Sequence, residues 1–140
     1  MAEFSFSGLG DLMLDMQAIA ELPEDVQDEM LNAQADVVVK AQQEQAKVMG
    51  VEDTGLTLHS IKKGKVKLKK GVRVIYVTPT GTRKRGKKRV RNAEIAFVNE
   101  FGKEKQKARP FIRTANEKSA EATTQAAADV YDRFLKSKNL

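Results

Sequence analysis

Between Lys62 and Arg91 the chain carries fourteen Lys or Arg residues and not one Asp or Glu. No other feature restricts the fold as strongly. A run with that charge belongs in solvated loops and half-exposed strands, so the core has to come mainly from the flanking segments. The segment before it, residues 1–61, has the opposite character, with twelve acids against Lys40 and Lys47. Residues 92–140 are nearly balanced, with nine basic and seven acidic side chains. The net charge of +6 therefore conceals a dipolar chain, whose opposite patches steer it toward copies of itself or a charged neighbour. A uniformly basic chain points more simply to nucleic acid.

At 140 residues the length suits a single domain, 1–140, with a modest core. No apolar run approaches the roughly 20 residues that cross a membrane, so no membrane partner is expected. The start, MAEFSFSGLGDLMLDM, carries acids where a secretory leader needs a basic region. Without Cys there is neither disulfide nor thiolate chemistry, which fits a reducing cytoplasm.

Leu9, Leu12, Met13, Met16 and Ile19 recur at helical spacing and predict a short amphipathic helix over 8–21. Pro23 suits a helix start, and Glu24, Asp25, Asp28 and Glu29 favour its positive end. Val26, Met30, Ala33, Val37, Ala41 and Val48 then mark one face of a long helix over 24–49, stopped by Gly50. Leu56, Leu58 and Ile61 read as buried anchors after the turn residues Asp53-Thr54-Gly55. An antiparallel sheet is predicted over 65–101. KVKLK alternates at period two, Lys70-Gly71 marks a hairpin turn, Val72–Thr78 is β-branched, and Ala93–Phe101 reads as a third strand. A basic loop over 80–92 interrupts the sheet. Phe111, Ile112, Ala115, Ala122, Ala126, Val130 and Phe134 predict a C-terminal helix over 110–136. The fold class is α+β, a small antiparallel sheet of about three to four strands packed against a long N-terminal helix and a long C-terminal helix.

Catalytic chemistry finds no foothold. His59 is the only histidine and has no Cys or carboxylates at ligand spacing beside it. A Ser or Thr nucleophile needs a base and an orienting group, and one His cannot serve for both. Asp25 and Glu29 belong to a solvated helix face. Gly81-x-x-x-x-Gly86-Lys87 imitates a phosphate loop, yet Lys88 stands where Ser or Thr binds magnesium and no helix follows directly. No catalytic residue, cofactor, metal or small-molecule substrate is expected, and the chain reads as a non-enzyme.

The basic loop is the first candidate interaction site, through Arg83, Lys84, Arg85, Lys87, Lys88, Arg89 and Arg91. Two readings compete. One is an arm that docks on an acidic protein surface; the other is a non-specific DNA-binding module using the hairpin as a basic arm. No aromatic residue interleaves with the charges to stack on bases, and no recognition helix carries them.

The second candidate is EFGKEKQKARPFIRTA, from Glu100 to Ala115, where basic residues crowd the start of a helix. Such a helix end attracts anions, but no compact glycine cradle accompanies it. The alternative is a structural joint. Gly102 turns the chain, Pro110 opens the helix and Phe111 with Ile112 pins its first turn. Arg109 and Arg113 are then expected to bridge to acids, either Glu100 or those of a neighbouring subunit. The combination Glu100-Phe101-Gly102, Ala108-Arg109-Pro110-Phe111-Ile112-Arg113, and upstream Asp53-Thr54-Gly55-Leu56 with Ser60-Ile61 resembles a family of tailed-phage proteins. These are the small neck or tail-completion proteins typed by the tenth gene product of a lambda-like phage. The resemblance spans roughly residues 25–135 and departs from the family pattern at Lys103, where Thr is common. It implies a structural virion protein, made in the bacterial host cytoplasm, of head-tail joining or tail-terminator type. It further implies a homo-oligomeric ring, six copies by the symmetry of tail tubes. Its partners are then head-closure or connector proteins and the tail tube protein, with possible non-specific contact to DNA in the lumen.

Overall fold

Pro23 needs no donor partner and its carbonyl accepts the amides of Val26 and Gln27 at 3.0 and 3.1 Å, which starts the first helix. In the computed structural model, which describes residues 22–51 and 55–138, that helix is α1, Glu24–Val48. It ends in a Schellman motif. Gly50 (φ 61°) donates to Lys47 O at 3.2 Å, and Val51 donates to Ala46 O at 3.0 Å. The long helix read from the sequence is thus present, with its stop at Gly50. The helix expected over 8–21 lies outside the described residues, as do Asp53 and Thr54.

After α1 come α2 (Leu56–Ser60), β1 (Ile61–Lys63), β2 (Lys67–Lys69), β3 (Val72–Val74), β4 (Val77–Pro79), β5 (Thr82–Arg85) and β6 (Lys88–Arg91). They are followed by α3 (Asn92–Phe101), α4 (Phe111–Lys118) and α5 (Ala120–Ser137). The fold is α+β, with a long helix near each end of the described chain and small antiparallel ribbons between them. The described chain divides into two compact units, each with its own core.

One unit comprises residues 22–37, Gly64–Tyr76 and residues 120–138. Val26, Met30 and Leu31 of α1 pack with Ala127 and Val130 of α5, and Val66, Ile75, Tyr131 and Phe134 cover them. The β2–β3 ribbon turns through Lys70 (φ 53°) and Gly71 (φ 79°), the two left-handed residues a type I′ hairpin requires. Its inner face carries Arg73, whose Nε donates to Asp28 Oδ1 at 2.8 Å while the guanidinium also bonds that oxygen through Nη2. The hydrogen bond to Asp28 holds the Arg73 guanidinium above its ordinary pKa, against the opposing effect of burial. One cation of the basic run therefore has its counter-charge on α1.

The other unit comprises Val38–Lys63 and Val77–Ser119. Phe111 is fully buried with Ala46, Val51, Ile61 and Ala96, and Val77 and Ile112 pack against them. β1 and β4 pair antiparallel, Ile61 opposite Pro79 and Lys63 opposite Val77.

Four expectations need correction. The single sheet over 65–101 is replaced, among the described residues, by three two-stranded ribbons, β1–β4, β2–β3 and β5–β6. A wider sheet would line up the like charges of more strands side by side on its faces, which a two-stranded ribbon limits to one pairing. Val72–Thr78 breaks at Ile75-Tyr76, so its two halves pair with different strands. Ala93–Phe101 is not a strand but lies within α3, because its inward residues Asn92, Ala96, Asn99 and Glu100 follow helical spacing while Phe97 and Phe101 face out. The C-terminal helix over 110–136 is two helices, separated at buried Ser119, whose φ of −94° and ψ of 1° leave the helical region.

Candidate functional site

The joint between α3 and α4 is built on one glycine and one carboxylate. Gly102 closes α3 by donating to Val98 O at 2.7 Å and adopts φ 76°, ψ −178°, a conformation essentially confined to glycine. The chain then folds back tightly. Lys103 and Gln106 exchange backbone hydrogen bonds of 2.9 and 3.0 Å, and Arg109 N donates to Asn99 O at 2.6 Å. Phe111 N donates to Arg109 O at 2.7 Å around Pro110 (φ −76°, ψ 66°), an inverse γ-turn. Asn99, buried on α3, accepts from the Gln106 side chain at 3.1 Å and so clasps the loop from inside.

Glu100, also buried, points its carboxylate at the first turn of α4. Its Oε2 accepts from Ile112 N at 2.8 Å and its Oε1 from Arg113 N at 3.0 Å. Those amides are the orphan donors of a helix start, and a negative charge there is favourable. The anion that suits this helix end is therefore supplied by the chain itself. The expected bridge from Arg109 or Arg113 to Glu100 is not made; both carboxylate oxygens hold backbone amides. Arg109 instead donates through Nη1 to Gly50 O at 2.6 Å, tying the joint to the end of α1, and Arg113 is exposed.

The basic segment is a regular hairpin, not a loop. β5 and β6 pair Thr82 with Arg91, Arg83 with Val90, Lys84 with Arg89 and Arg85 with Lys88. Gly86 (φ 64°) occupies the first turn position, as a type II′ turn demands. Two of these four pairs place like charges directly opposite each other, which opposes strand pairing. Lys84, Arg85, Lys87 and Lys88 are exposed, and their side chains make no hydrogen bond or ion pair among the described residues. Arg89 donates to Thr82 Oγ1 at 2.7 Å, and Arg91 meets Glu94 at 3.1 Å, both in the exposed part of the hairpin.

Arg83 differs from the other six. It is half-buried, its Nε donating to Asn92 Oδ1 and its Nη2 to Thr57 Oγ1, both at 2.7 Å. Asn92 in turn donates to Thr80 O at 2.8 Å, and Thr57 has no exposed surface. Arg83 is a tether that fastens the hairpin to α2 and α3. Neither Thr57 nor Asn92 stands out in the sequence, since hydrophobic periodicity marks only apolar positions. Gly55 (φ 74°) begins α2, but Leu56 is half exposed rather than an anchor, and Thr57 takes the inward place. His59 is exposed, and among the described residues no group of three His, Asp or Glu could hold a metal ion. No helix among them is long and apolar enough to cross a membrane.

The split within the basic cluster has a measurable consequence. Arg83→Ser is expected to lower stability by about 1–3 kcal/mol, since it leaves buried Thr57 and Asn92 short of a charged donor. Single Ser replacements of Lys84, Arg85, Lys87 or Lys88 should stay within about 0.5 kcal/mol of wild type. Urea denaturation of the five variants checks this; equal stabilities would remove Arg83 from the tether.

Compared with family models, curated proteins and solved structures, the chain shows no match.

Proposed function

We propose that this protein is a structural component of a tailed phage or prophage, a ring at the neck that joins the head connector to the tail tube. Tail completion and tail termination are the two forms this role takes. The observation that carries the reading is the hairpin's charge register. Lys84 opposes Arg89 and Arg85 opposes Lys88 at the exposed end, an arrangement that weakens the ribbon. A surface that keeps such repulsion is suited to an acidic partner, whose charge relieves it. The same chain offers acids in quantity on α1, where Glu24, Asp25, Glu29 and Asp36 are exposed. Charge segregation of this kind favours head-to-tail contacts, which form a ring when the rotation between copies closes; the proposed ring has six copies.

The joint supports the reading in a second way. Among the described residues, those that carry the resemblance to the phage neck proteins sit at element ends: Gly55 before α2, Glu100 to Gly102 at the end of α3, and Arg109 to Arg113 across the start of α4. Residues so placed hold elements together and need no cofactor or catalytic group. The role is mechanical, and the protein works in the virion after synthesis in the host cytoplasm.

The test neutralises Lys84, Arg85, Lys87, Lys88, Arg89 and Arg91 with Ser or Gln while keeping Arg83. The fold should persist, since exposed charges contribute little to stability. Electron microscopy of lysates should show filled heads and free tails that have not joined. Normal joined virions would overturn the assignment of the arm. Fluorescence anisotropy at two salt concentrations addresses the rival DNA-binding module. The proposed role expects weak binding that salt abolishes, through counterion release. Tight duplex binding near physiological salt, lost with the arm while particles still join, would identify the DNA module instead.

A further inference from the structure

We infer that the outer face of α3 docks on a second copy of this chain, seating Phe97 and Phe101 in that copy's groove between α1 and α5. The inference deepens the ring reading, on which it rests for its head-to-tail geometry, by naming both faces of the contact.

Phe97 and Phe101 are 63% and 67% exposed, although large aromatic side chains normally contribute most to a core. They lie one turn apart on α3 with ring centroids 4.6 Å apart, so they form one apolar surface rather than two isolated spots. Ala93 and Val98 extend it, and Arg91 and Glu94 border it. Nothing in the local fold requires rings there, because α3 packs inward through Asn92, Ala96, Asn99 and Glu100. Exposed paired aromatics beside charged residues are the composition of an interface centre. Arg91, the last residue of β6, is the hairpin cation that borders this face, where it meets Glu94 at 3.1 Å.

An occupant has to be apolar at its centre and to carry both signs of charge at its rim, opposite Arg91 and Glu94. The groove between α1 and α5 has both properties. It is open, encloses about 500 Å³, and its lining combines Ala33, Ala126 and Val130 with Asp129, Asp132 and Arg133. Its guanidinium is engaged with Glu29 at 3.4 Å. Ala33 is the α1 residue in that lining, and Asp132 is paired with Lys136 at 2.9 Å. Small alanines leave a hollow that phenyl rings fill, while Asp129 and Asp132 face the incoming Arg91 and Arg133 faces Glu94. Patch and groove are different surfaces, so the contact is heterologous and repeats from copy to copy.

The experiment uses the full chain in analytical ultracentrifugation across concentration and salt. Wild type should self-associate, less so at high salt. Phe97→Ser with Phe101→Ser should weaken association roughly 100-fold, as loss of two hot-spot aromatics does. Ala126→Trp, which fills the groove, should have the same effect. Far-UV circular dichroism should confirm that both variants fold, since Phe97 and Phe101 are exposed and Ala126 lines an open groove. An equimolar mixture of the two variants supplies one good patch and one good groove, and should form dimers and nothing larger. If the Phe variant loses association while Ala126→Trp keeps it, the groove is not the receptor and the inference fails. If all variants associate like wild type, the interface lies elsewhere while the ring reading stands. A wild type monomeric at every concentration, alone and beside purified tails, would remove both.

Discussion

Gly102→Ala is expected to cost about 3 kcal/mol or more and to leave the unit around Phe111 unfolded or loosened under mild denaturant. Two effects add. At φ 76° and ψ −178° an L-residue is strained by roughly 1–3 kcal/mol. The added Cβ would also stand 2.8 Å from Gln106 O and 2.8 Å from Ala108 N, both backbone atoms within a hydrogen-bonded turn. Neither can move without breaking the exchange between Lys103 and Gln106 or the bond from Arg109 to Asn99. Gly86→Ala makes the control, because Gly86 shares a positive φ but has nothing within 4 Å of an added Cβ. It should cost only about 1 kcal/mol. Urea titrations of the two variants giving equal losses would show that close approach at Gly102 contributes nothing.

The second large effect is expected at Phe111, whose replacement by Ala should cost about 3–5 kcal/mol. The ring has no exposed surface and touches α1, β1 and α3 residues at once, so its removal leaves a cavity that fixed helices cannot close. Ile112 is half-buried, and Ile112→Ala should cost roughly half the lower figure for a core aliphatic, about 1 kcal/mol. The two neighbours, alike in the sequence as anchors of one helical turn, are therefore separated by exposure. Both tyrosines of the chain, Tyr76 and Tyr131, belong to the other unit, which gives a direct readout. In Phe111→Ala, far-UV circular dichroism should report unfolding at lower urea than tyrosine fluorescence does. Coincident, wild-type-like transitions for both signals would place Phe111 outside the core.

Turn chemistry was legible wherever one residue type is physically required. Gly50 stops α1 because only a residue at ease at positive φ completes the Schellman bonds. Lys70-Gly71 turns β2 into β3 for the same reason. The apolar run beginning Phe111-Ile112 marked α4 correctly, since its inward face is apolar. α3 was misread because its inward face is not. Asn92, Ala96, Asn99 and Glu100 are buried by hydrogen bonding and close packing, so counting large apolar residues follows Phe97 and Phe101, which point away from the core. Similarly, seven cations from Arg83 to Arg91 look equivalent in a sequence, and only the partners of Arg83 distinguish it.

Local requirements alone settle the long helix, its caps, the hairpin turns and the surface placement of the basic run, because each depends on neighbours within a few residues and on solvation. Tertiary structure decided which strands pair, that Glu100 and not an external anion occupies the start of α4, and that Arg109 reaches Gly50 rather than an acid. Those outcomes depend on groups far apart in the chain competing for the same donors and acceptors. A carboxylate twelve residues before a helix amide has no local signature; it becomes a cap only when Gly102 folds the chain back tightly enough to bring the two within 3 Å.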